Sequence, residues 1–204
     1  LALPAAAHAQ AAAPAPAAAR APAAVRAQAA RAVPGAGNAE GARSTAGAAA
    51  SPVMDALRQV SQRYEANLVG SAKEMPADKY GYKPTAQQRT FGALMLHVAR
   101  SNEFFCSSIS GQPQPKGAQL EPTSPKDALV NALEKSFNYC TNVLSKVTDS
   151  ELDAQVPFFG NRKVTRATAV MGLAEDWADH YGQAAMYLRL NGMLPPSAQR
   201  RGGM

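Results

Sequence analysis

The sequence predicts an all-α fold, a four-helix bundle preceded by a disordered Ala/Pro-rich segment, and three observations support it. Apolar residues recur at three- and four-residue spacings through four long stretches between Ser51 and Gly192, the period of an amphipathic helix. Proline and turn signals fall at the ends of these stretches, as helix boundaries require. The one strand-like candidate, FFGNRKV at 158–164, is a Gly-Asn turn between apolar residues that suits a short hairpin and is not counted as a sheet.

Before the bundle, residues 1–50 have the wrong composition for a core. Alanine fills 26 of these positions and proline five, with no aromatic, so burial cannot offset the entropy of ordering. Residues 1–9 read as a signal-peptide remnant: the small-residue pattern Ala7-His8-Ala9 would be cut before Gln10. The alternative is one more piece of Ala/Pro low complexity. Residues 10–50 then form a disordered linker, and a periplasmic or secreted location follows from the leader.

The first helix opens at Ser51-Pro52, a cap followed by proline at the first helical position. Val53, Leu57, Val60, Tyr64 and Leu68 give it an apolar side, and it stops near Met75-Pro76. A turn-rich stretch, PADKYGYKPTAQQR, leads to the second helix, TFGALMLHVARSNEFFCSSIS, which Gly111 ends. The third opens at Ser124-Pro125, shows Leu129, Leu133, Phe137, Cys140 and Leu144 on one side, and ends around Val147. The fourth, RATAVMGLAEDWADHYGQAAMYLRLNG, runs to Gly192 and the Pro195-Pro196 stop. The bundle domain therefore spans 51–198, with a flexible tail over 199–204.

The net charge of +6 sits mostly in the first 50 residues and at Arg200-Arg201, leaving the folded part nearly neutral. No basic stripe with interleaved aromatics occurs, so nucleic acid is not an expected partner. No apolar run is long enough for a transmembrane segment. Cys106 and Cys140 fall on different helices and match no zinc motif. In a reducing compartment they would be buried thiols, and in an exported protein a disulfide between the helices.

The fourth helix carries an unusual row. Asp176, His180, Gln183 and Tyr187 recur at the spacing that normally builds an apolar stripe. Asp176 and His180, four apart, lie on one side of a helix within reach of a single ion. His97 sits mid-helix among Leu94, Val98 and Phe105, and a buried imidazole needs partners for both nitrogens. Together His97, Asp176 and His180 form a candidate metal set of two imidazoles and one carboxylate. Such a set suits zinc, nickel or ferrous iron and leaves positions open for water or substrate. On spacing alone the competing reading is a solvent-facing Asp176 and a satisfied core histidine near Trp177. Cys106, nine residues after His97, points about 180° away from it, so disulfide or core filling explains it better than catalysis. Trp177 reads as core or pocket wall, and Glu175 and Asp179 as a solvated acidic face.

The stretches MPADKYGYKPTAQQRTFGALMLHVARSNEFFC and EDWADHYGQAAMYLRLNGMLPPS resemble the DinB-like family of bacterial metal-binding four-helix proteins. The resemblance covers roughly residues 53 to 198. It implies a metal-binding histidine triad, one histidine matching His97 and two on the last helix, the later matching His180. At the earlier position this chain has Asp176, which either still serves as a ligand or marks a decayed site. The resemblance further implies nucleophilic transfer chemistry on a small-molecule substrate and a divalent metal ion as cofactor, with a homodimer among the assemblies open to it. For an exported protein, scarce small thiols turn the expectation towards metal-assisted hydrolysis or ligand binding. The alternative is a non-catalytic binding or scaffold bundle with a degenerate metal site.

Overall fold

Helix α1 (Pro52–Glu74) begins at the proline that the sequence marks, but Ser51 does not cap it through its side chain. The computed structural model, which describes residues 50–117 and 119–199, places Asp149 there instead. Its carboxylate accepts from the Val53 and Met54 amides, each at 2.9 Å. A carboxylate is a better partner than a hydroxyl for the positive end of a helix dipole. Arg58 returns the tie, donating to the Leu144 carbonyl at 2.8 Å and so capping the next helix but one. The leader remnant over 1–9, the linker over 10–50 apart from its last residue, and the tail from 200 onward lie outside the described residues.

Helix α2 (Phe91–Ser110) starts at Thr90, whose hydroxyl accepts from the Ala93 amide at 3.1 Å. The turn-rich approach fixes that start, because the Phe91 and Gly92 amides donate to the carbonyls of Tyr82 and Tyr80. Gly111 ends α2 with φ 70°, the left-handed conformation that glycine adopts without a Cβ penalty. Helix α3 (Lys126–Leu144) buries Leu129, Leu133, Phe137, Cys140 and Leu144, as its pattern predicts, and ends three residues before Val147.

Two short strands follow, β1 (Gln155–Pro157) and β2 (Lys163–Thr165), antiparallel with Val156 opposite Val164. The FFGNRKV segment thus supplies the turn and the start of the second strand of the expected short hairpin, whose first strand lies just before it. Gly160 and Asn161 both take positive φ in its turn. Helix α4 (Arg166–Leu190) is capped by Thr165 through the Thr168 amide, and Gly192 at φ 77° turns the chain after it. A one-turn helix, α5 (Pro196–Gln199), then packs on α1. Gln199, expected to open the tail, closes this turn and donates to Glu74 at 2.9 Å.

Helices α1 and α2 each pack against both α3 and α4, so α1 and α2 lie diagonally across the bundle. That arrangement broadens the buried side of α1 and corrects its expected stripe. Met54, Leu57 and Leu68 are buried, Val60 and Tyr64 are partly covered, and Val53 is 50% exposed. A disulfide joins Cys106 on α2 to Cys140 on α3, with Cα atoms 5.4 Å apart, inside the usual range for the bond. Beneath it, Asn102 accepts from the Trp177 indole at 2.6 Å and donates to the Ser136 hydroxyl at 2.9 Å. This polar hub ties α2, α3 and α4 with buried donors satisfied. Among the described residues no helix is long and apolar enough to cross a membrane.

Candidate metal centre

The contact between α2 and α4 brings together the three side chains singled out from the sequence. One nitrogen each from His97 and His180 and one carboxylate oxygen of Asp176 lie within 4.8 Å of one another. The two imidazole rings are tilted at 53°, their centroids 4.7 Å apart. The His180 side chain is 7% exposed and that of Asp176 15%, so the aspartate does not project into bulk solvent.

The hydrogen bonds set which atoms are free. His180 Nδ1 lies 2.7 Å from the Asp176 carbonyl oxygen one helical turn earlier. A carbonyl only accepts, so Nδ1 carries the proton and the Nε2 lone pair of the neutral ring is left for a ligand. Metal-binding histidines are commonly oriented in this way by a bond at the other nitrogen. Asp176 Oδ1 stands 3.5 Å from the same Nδ1, while Asp176 Oδ2 is buried with no hydrogen-bond partner among the described residues. An orphaned buried carboxylate oxygen is costly, and a cation held with the two imidazoles would satisfy it. The donor set of nitrogen and carboxylate atoms suits a divalent ion, so the residues present fit a metal.

Electrostatics separate the two rings. Burial, Arg89 and His180 lower the His97 pKa, outweighing the Asp176 carboxylate. Burial also pulls on His180, but its hydrogen bonds to Asp176 and the charges of Asp176 and Asp179 win, raising its pKa. The two rings therefore differ in how readily each takes an additional proton, His180 more readily than His97.

Other members of the polar row act differently. Gln183 bonds to Asp179 at 2.8 Å along the surface of α4, and Tyr187 donates to the Arg89 carbonyl at 2.7 Å, tying α4 to the approach to α2. Trp177 is fully buried core. A cavity of about 620 Å³ adjoins the cluster, lined by His97 and Asp176 together with Arg100, Glu103, Phe104 and Phe159. Sequence reasoning missed these walls. Among the described residues the Glu103 carboxyl makes no hydrogen bond or ion pair, and burial raises its pKa against the pull of Arg100. The hint was available: Arg100, Glu103 and Phe104 follow His97 at spacings of three, six and seven on one helix.

A helical bundle with two histidines and an aspartate converging between facing helices is of the class that can hold a divalent ion in its interior. Residues 61–184 match the DinB superfamily, and the chain belongs to that family. Among solved structures it is similar to a DinB-like protein from Bacillus subtilis, with 21% identity and a TM-score of 0.58, covering 69% of this chain and 95% of that one. A DinB-like protein from Bacillus cereus gives 18% identity and a TM-score of 0.55 over 68% and 93%. A mutant of the mycothiol-dependent maleylpyruvate isomerase gives 13% and 0.53 over 63% of this chain and 59% of that enzyme. At these identities the likeness shows the fold. No match was found among curated proteins.

Proposed function

We propose that this DinB superfamily member is an exported metal-dependent enzyme. In this reading His97, Asp176 and His180 hold a divalent ion, zinc, nickel or iron, and the reaction is of the hydrolase or transferase type. The observation that carries the reading is the buried, unpartnered Asp176 Oδ2 beside two imidazoles. A bound divalent ion supplies Lewis acidity, bringing the pKa of a water or thiol at an open position towards neutrality.

The chain's own residues do the rest. The Asp176 carbonyl holds the His180 ring by its Nδ1 proton and so aims Nε2. The Glu103 carboxyl, on the same cavity and with its pKa raised by burial, can hold a proton at its carboxylate oxygen and exchange it with a bound molecule. The Cys106–Cys140 disulfide supports an oxidising location such as the periplasm or the exterior. Small thiols are scarce there, which favours water as the nucleophile, although the isomerase among the structural neighbours is mycothiol-dependent.

One contact favours a second reading, a non-catalytic bundle. A protonated His180 pairs with Asp176 at 3.5 Å without any metal. Elemental analysis of protein purified without added metal separates the two. The enzyme reading expects about one ion per chain in the native protein, its loss in His97→Ala and its retention in Asp176→His. Metal in Asp176→His alone would establish that the natural site has decayed.

A further inference from the structure

The cavity beside the cluster is lined by aromatic rings as well as by His97 and Asp176. Phe104 of α2 and Phe159 of the β1–β2 turn stack with centroids 4.0 Å apart and planes inclined at 21°. Phe105 meets Phe159 edge-on at 6.0 Å and 87°. Phe159 nevertheless remains 50% exposed, so the stack leaves much of a large apolar ring uncovered.

The backbone that presents this ring is unusual. Gly160 and Asn161, immediately after Phe159, take φ of 63° and 57°. The left-handed region is costly for a residue with a Cβ, although asparagine tolerates it better than most. Two successive left-handed residues thus fold the turn back and keep Phe159 over Phe104 of α2, on the same face of that helix as His97 and about two turns further along. A turn serving only to join β1 to β2 has no need of a half-exposed phenylalanine at this position. Charge completes the picture: Arg100 lines the same cavity, together with the carboxyls of Glu103 and Asp176, and its guanidinium suits an electron-rich oxygen head.

The geometry points to an aryl-binding subsite: Phe104 and Phe159 take the flat aromatic group of a substrate whose oxygen-bearing head, a carboxyl or carboxyl derivative, lies at the His97, Asp176 and His180 cluster. Offset stacking and edge contacts give an aromatic guest an advantage over an alkyl one beyond the area it buries. The class of substrate is therefore an aromatic acid derivative. The position of the head rests on the metal reading above, whereas the ring subsite stands on the aromatic geometry.

The test uses the full chain and probes with and without a ring. Zinc-loaded protein is titrated with benzohydroxamate and with acetohydroxamate, which share one metal-binding head. The phenyl compound should bind about tenfold more tightly, equivalent to about 1.4 kcal/mol. Phe159→Ala should bring that ratio close to one with zinc content unchanged, and Phe159→Tyr should keep it. A ratio near one in the native protein, or a ratio unaltered by Phe159→Ala in a variant with native circular dichroism, overturns the subsite. A second arm covers the case in which no zinc is held: in metal-free protein, benzoate and not acetate should shift the ring resonances of Phe104 and Phe159. Shifts without zinc binding leave the subsite standing and sink the metal reading, while their absence overturns the subsite whatever the metal result.

Discussion

Replacing both disulfide cysteines by alanine removes the one covalent tie between α2 and α3, and its cost follows from the chain length it closes. Cys106 and Cys140 are separated by 34 residues, and for a loop of that size the lost constraint on the unfolded chain is worth about 4 kcal/mol at 25 °C. Both cysteines are fully buried, so truncation of the two sulfurs adds to the loss. Urea unfolding followed by fluorescence is a suitable assay, because the single tryptophan, Trp177, is buried and stacked on Phe137 at 5.7 Å. The expected outcome for Cys106→Ala/Cys140→Ala is a fall of at least about 4 kcal/mol in unfolding free energy, with a larger denaturant slope as the unfolded chain expands. Metal content should not change in the folded variant, since neither sulfur belongs to the His97 cluster. A loss under about 1 kcal/mol, far below the usual range for a native disulfide, would refute the view that this bond anchors the bundle.

Asn102→Ala should cost about 1–3 kcal/mol or more in the same urea assay, because it leaves the Trp177 indole N–H buried without an acceptor. Gly92→Ala should lower the melting temperature, since its Cβ would lie 2.7 Å from the Pro122 carbonyl oxygen. Gly182→Ala, with nothing within 4 Å, should instead raise stability by about 1 kcal/mol. In metal-free protein, the raised His180 pKa means that its pairing stabilises the fold fully below about pH 6.5, the ordinary value. That contribution is lost as pH rises through the raised one. The lowered His97 pKa has the opposite sign, removing stability as pH falls from the ordinary value through the lowered one. Unfolding free energy measured against pH should show both slopes, and the alkaline one should vanish in Asp176→Asn. Metal affinity, measured by competition with a chelator, should weaken as pH falls through the His180 value, because proton and cation compete for one ring.

Local signals made the helices legible. Pro52 at the start of α1, Gly111 after α2, and the Pro195-Pro196 pair beyond α4 act on neighbouring residues, so sequence alone places them. The grouping of His97, Asp176 and His180 was legible for the same reason, two of its members being four residues apart on one helix, and His97 being a polar residue amid apolar ones. What escaped the sequence was long-range. Asp149 caps α1 from 95 residues away, and no local pattern announces such a partner. Val53 fitted the apolar rhythm of α1 yet faces water, because the diagonal position of α1 between α3 and α4 sets which side is covered. The β1–β2 turn read as a minor hairpin, but its importance comes from bringing Phe159 onto α2. The Cys106–Cys140 bond was expected from the sequence only for an exported protein, because which faces of two helices meet is not determined by spacing within either helix.

Anomalous diffraction from crystals of zinc-loaded protein decides whether one cation sits between His97, Asp176 and His180, as proposed. The expected result is a single strong peak at about 2.0–2.2 Å from a nitrogen of each imidazole and an oxygen of the aspartate. A peak at some other group of side chains, or an Asp176 carboxylate turned away from ordered zinc, would contradict it.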